Sequence, residues 1–201
     1  MSNVTMWWVQ SKWWWDAPGA SITLGSSGRI LSGTINGPTS GFLTMYERVY
    51  RIQFTSSFWL GPNRIPPTGC EWESLATDMM TGSITGSTRG GIYPFGPWPA
   101  TTLREKRRQR VYSGSTLLFQ EEQSVSIIDI WEEEWKTVTS TVPLYGVYSM
   151  FSGRKFDFDR SKVLYIELEL ELRVFFRGDG TISFGTGVSL NLPQFDIRST
   201  L

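Results

Sequence analysis

Half of the ten tryptophans fall within the first fifteen residues, as Trp7, Trp8, Trp13, Trp14 and Trp15. An indole is a rigid apolar plate with one N–H donor. It suits stacking on a sugar ring, seating in a membrane headgroup layer or anchoring a protein interface. A second concentration is basic: Arg104, Lys106, Arg107, Arg108 and Arg110 crowd seven positions of LREKRRQR. Guanidinium forks there suit phosphates or an acidic protein surface. A third is acidic, with Asp129, Glu132, Glu133 and Glu134 in DIWEEEW, a segment that also carries two tryptophans. Opposite runs on a chain with 19 basic and 19 acidic residues predict contact between copies, one acidic segment meeting a neighbour's basic segment.

Catalytic chemistry has less to work with. Glycoside hydrolysis needs two carboxylates roughly 5 to 9.5 Å apart, and Glu167, Glu169 and Glu171 share a strand face at workable spacing. In composition the chain resembles the small jelly-roll glycosidases, which would imply such a pair in a cleft. The flanking aromatic and glutamate motifs of the small xylanase families are absent, so no catalytic residue is assigned. There is no histidine, which removes the commonest general base and metal ligand and any Ser/His/Asp triad. Asp157 and Asp159 lack further oxygen ligands at recognisable spacing, so neither metal nor cofactor is expected. No phosphate-binding glycine loop and no CxxC occurs.

These residues require a scaffold, and the clearest part of it is VLYIELELELRVFFR. Ile166, Leu168, Leu170, Leu172, Val174 and Phe176 alternate with Glu167, Glu169, Glu171, Arg173 and Arg177, predicting a long strand with one buried and one wet face. Gly178-Asp179-Gly180 predicts a tight hairpin turn into a strand starting at Thr181, bent near Gly185. In GFLTMYERVYRIQF the apolar parity changes, predicting a bulge between Glu47 and Val49. A further strand is predicted at Ser124 to Trp131. Residues 61–100 hold six prolines among many glycines and read as a long loop region, with a short helix over ESLATDMM.

The expected fold is a single all-β domain over 1–201, a β-sandwich of jelly-roll type, with a closed β-barrel as the alternative. Cys70 cannot form an internal disulfide, the first residues carry no secretory pattern and no run is apolar enough to span a membrane. Synthesis in the cytosol is expected. The leading functional expectation is a non-enzymatic structural subunit, an oligomer within a larger assembly such as a virion or phage particle. A carbohydrate-binding module or lectin using exposed tryptophans is the alternative. A membrane-surface binder stands third, and neutral net charge speaks against nucleic acid as the partner.

Overall fold

The computed structural model describes residues 4–5, 9–15, 21–24, 30–38, 45–58, 70–75, 80–89, 98–132, 137–144, 154–156, 161–185, 187–190 and 194–199. Its strands are β1 (Val4–Thr5), β2 (Val9–Trp15), β3 (Ser21–Leu24), β4 (Ile30–Asn36), β5 (Met45–Phe58), β6 (Cys70–Leu75), β7 (Met80–Arg89) and β8 (Ala100–Ser113). They continue with β9 (Thr116–Trp131), β10 (Thr137–Leu144), β11 (Arg154–Phe156), β12 (Leu164–Arg177), β13 (Gly180–Ser183), β14 (Val188–Leu190) and β15 (Gln194–Ser199). Among the described residues there is no helix.

Every pairing among the described strands is antiparallel. One sheet has the order β2-β5-β12-β8-β9. The second runs β10-β7-β13-β4, with β3 beyond β4 and β14 following β13 in the row between β7 and β4. A smaller sheet has the order β1-β15-β6-β11. The chain changes sheet from β4 to β5, β7 to β8, β9 to β10 and β12 to β13, which is the wrapping of a jelly-roll sandwich. Among the described strands β2 and β9 do not pair, so the five-stranded sheet does not close into a barrel.

The alternation in β12 explains the core. Leu168, Leu170, Leu172, Val174 and Phe176 are buried with Ile52, Phe54 and Leu103 of the same sheet against Leu31, Ile84, Ile182, Phe184 and Val188 of the other. Each such side chain contributes about 1.5 to 3 kcal/mol by leaving water. Ile182, Phe184, Val188 and Leu190 keep one face across the bend, where Gly185 has φ +57°, a value most side chains resist.

Four expectations are corrected. Gly178 does take a turn conformation at φ +80°, but β13 pairs with β4 and β7 rather than β12. The turn is a corner between sheets, built from the same residues a hairpin would use. β5 keeps unbroken register with β12 from Met45 to Phe58, so there is no bulge at Glu47 to Val49 there. Instead Met45 is exposed and Tyr46 packs on the core, with the Arg48 guanidinium 4.2 Å over its ring, so a stacked arginine occupies an inward position. The region 61–100 contains β6 and β7 rather than loop alone, and the expected helix begins instead as strand, because Glu73–Leu75 is paired with β15 and continues the strand that β11 flanks at Cys70–Trp72. Finally, the glutamate face of β12 is not freely wet: Glu167 and Glu171 are buried beneath longer neighbours.

Candidate functional site

β12 lies at the centre of the five-stranded sheet, so its outward residues are flanked by β5 and β8 along their whole length. Register places Glu167 beside Arg110, Glu169 beside Arg108, and Glu171 between Arg51 and Lys106. Opposite charges one strand apart attract, and they form a ladder. Arg110 Nη1 donates to Glu167 at 2.8 Å, Arg108 Nη2 to Glu122 of β9 at 2.8 Å, and Lys106 Nζ lies 2.7 Å from Glu122. Arg51 Nε donates to Glu171 at 2.9 Å and Arg173 Nη2 to the same carboxylate at 3.2 Å, while Gln53 donates to Glu167. Burial works to raise the Glu171 carboxyl, but the hydrogen bonds and charges of Arg51 and Arg173 outweigh it and hold it below the ordinary value. Hydrogen bonds from Lys106 and then Arg108 lower the Glu122 carboxyl.

The basic run is therefore a strand read in two directions. Arg104, Lys106, Arg108 and Arg110 stand on the outer face, whereas Arg107 points into the sandwich and pairs with Glu105, the two side chains only 4% and 2% exposed. The acids that meet Lys106, Arg108 and Arg110 are Glu122, Glu167 and Glu169 of this chain. Asp129 is exposed on β9, and Glu132 is buried just beyond it. Glu133, Glu134, Trp7 and Trp8 lie outside the described residues. Trp13, Trp14 and Trp15 lie on β2, in register with Ile52, Arg51 and Tyr50 of β5.

Toward the end of the sheet formed by Met45, Arg177, Ala100 and Trp131, the face changes character. Trp131 is 52% exposed, and its Nε1 donates to Asp129 Oδ1 at 2.7 Å. The Arg177 guanidinium lies 5.6 Å from the Trp131 ring and 5.8 Å from that of Phe175. An exposed indole held at its N–H and against a cation is a preset plate. Sequence reasoning gave DIWEEEW to its charges and passed over this tryptophan; the available signal was an apolar side chain of odd number, out of phase with Ile128 and Ile130.

Two depressions accompany these features. One, of about 190 Å³, is lined on the outer face by Arg104, Lys106, Ser124, Glu171 and Arg173. The other, also about 190 Å³, enters between the sheets beside Glu105, Arg107, Met80, Val142 and Leu144. Among the described residues no cluster of three or more metal-ligating side chains occurs, and no helix is long and apolar enough to cross a membrane.

Fold and face together define a jelly-roll β-sandwich that presents a broad, charged and partly aromatic sheet surface. No family model and no curated protein matches the chain. Among solved structures it is similar to a carbohydrate-binding module described for specific mannan recognition, at 11% identity and TM-score 0.24, over 96% of this chain and 99% of that one. A Clostridium thermocellum xylanase fragment holding a carbohydrate-binding module, complexed with xylohexaose, follows at 11% identity and TM-score 0.14, over 75% of this chain and 26% of that one. Infectious bursal disease virus, Gt strain, gives 8% identity and TM-score 0.11, over 94% and 41%. Likenesses of this size carry no argument about the ligand, which has to be read from this chain's own residues.

Proposed function

We propose that the chain is a non-enzymatic binding module that holds a carbohydrate against the outer face of its five-stranded sheet. The observation that carries this is Trp131, half exposed and fixed by Asp129 and Arg177 at one end of a surface dense in hydrogen-bond donors and acceptors. A sugar ring offers an apolar C–H face to an indole and hydroxyls to the charged groups around it. Glu171, held ionised by two arginines, suits orientation of a ligand rather than proton delivery.

A panel of immobilised polysaccharides, with the mass of the chain in solution measured on the same sample, tests this reading. Retention by at least one polysaccharide is expected. A chain that binds none and sediments as a large complex would contradict it.

The second reading, a structural subunit of a larger assembly such as a virion component, is favoured by β9. This 16-residue strand lies at the sheet edge, with β8 its only partner among the described strands. Such an edge can pair with another chain. Because Lys106, Arg108 and Arg110 already meet glutamates of their own chain, association through the basic and acidic runs is the weaker route to assembly.

A further inference from the structure

Antiparallel register sets Arg104 of β8 directly opposite Arg173 of β12, with Lys106 next along the same face. Like charges directly opposite each other on one face repel and are destabilising. Arg173 is engaged by Glu47 at 3.4 Å and Glu171 at 3.2 Å, and Lys106 by Glu122. Among the described residues Arg104 meets no acid, although it is exposed and reaches the same depression. The lining of that trough holds three cations, one hydroxyl and one carboxylate, and the carboxylate is already shared by Arg51 and Arg173. The local balance of the lining is two positive charges in about 190 Å³. Ser124, opposite Lys106 on β9, adds a neutral donor.

We propose that this trough, between Arg104, Lys106 and Arg173, is a subsite for the carboxylate or sulfate group of an acidic glycan. The inference rests on the carbohydrate reading and narrows it from sugars in general to charged ones. An acid group seated there would offset the repulsion between Arg104 and Arg173 and give Arg104 an acidic partner. The trough lies roughly 15 Å along the strands from Trp131, at about 3.3 Å per residue, so one chain could stack at the tryptophan and place an acidic substituent between the arginines.

Matched pairs of polymers that differ only in charge provide the test: polygalacturonate against its methyl ester, and dextran sulfate against dextran, measured by affinity electrophoresis. The charged member of at least one pair is expected to retain the protein more strongly. Arg104→Gln should weaken that retention about tenfold, and Arg104→Lys should restore part of it. Unchanged thermal stability of both variants would show that the fold is intact. Equal retention by charged and neutral members would remove the anion subsite while leaving the carbohydrate reading in place. Retention by neither pair, together with a blank polysaccharide panel, would remove both. Preference for the charged polymer that survives Arg104→Gln would locate the attraction elsewhere and overturn the assignment. Binding to phosphatidylserine vesicles without retention by any polymer would transfer the site to lipid headgroups and also overturn it.

Discussion

Along β8 one run of charged residues occupies two environments. Arg108 and Arg110 face outward, part-exposed, each sharing carboxylates with neighbours that water also reaches. Two residues of opposite parity, Glu105 and Arg107, carry the same chemistry into the sandwich, where the pair is almost wholly enclosed. Attraction between charges grows as the surroundings lose polarity, but so does the cost of removing each charge from water. Outside, a lost partner is replaced by solvent. Inside, where the two side chains are only 4% and 2% exposed, solvent replaces far less of it, so the same deletion has a different consequence on each side of the strand.

The largest expected effect breaks the inner pair. Arg107→Ala leaves Glu105 buried without its cation and should cost about 3 to 5 kcal/mol in urea unfolding. Replacing both, as Glu105→Leu with Arg107→Met, should recover most of that loss, since the orphaned charge is gone; a double variant as unstable as the single one would mean that the pair itself stabilises the sandwich. Next in size, Leu170→Ala should cost about 2 to 5 kcal/mol through transfer and cavity formation. Its neighbour on the other face, Glu169, should cost under about 1 kcal/mol when changed to Ala, and so should Arg108→Ala. Thermal melts of these variants sharpen the comparison, because equal losses on both faces would mean that the outer surface is covered.

The smallest effect is that of pH. The Glu171 carboxyl lies below its ordinary value of 4.5, so its contribution is fully present above that pH and is lost as pH falls through the lowered value. Glu171→Gln should therefore flatten the acid limb of a stability profile below about pH 4.5 and leave the profile near pH 7 without slope from this group. An unchanged acid limb would show that the Arg51 and Arg173 contacts do not persist in solution.

How much of this was legible depended on where apolar residues mark the period. In β12 every inward position is apolar and every outward one charged or aromatic, so strand, faces and core could all be read. In β8 the inward positions 105, 107 and 109 are Glu, Arg and Gln, and a run polar at every position shows no period of two. Its charges were visible, but not their division between two faces. The corner at Gly178 was misread because turn residues report local conformation, while the choice of partner strand is made by β4 and β7. Bulges between Leu103 and Arg104 and between Val111 and Tyr112 in the β8–β9 pairing left no mark in composition. Trp131 could be seen as an outlier in its strand, but its fixing by Arg177 depends on a residue 46 positions away, brought near by the sheet.

The central claim is that the outer face holds a sugar at Trp131, and calorimetric titration of Trp131→Ala with whichever polysaccharide retains the unaltered protein tests it most directly. Loss of an aromatic anchor should weaken binding by at least about tenfold while the variant stays folded, because the side chain is half exposed on the outer face and is not part of the core between the sheets. A folded Trp131→Ala variant with undiminished affinity would contradict the account.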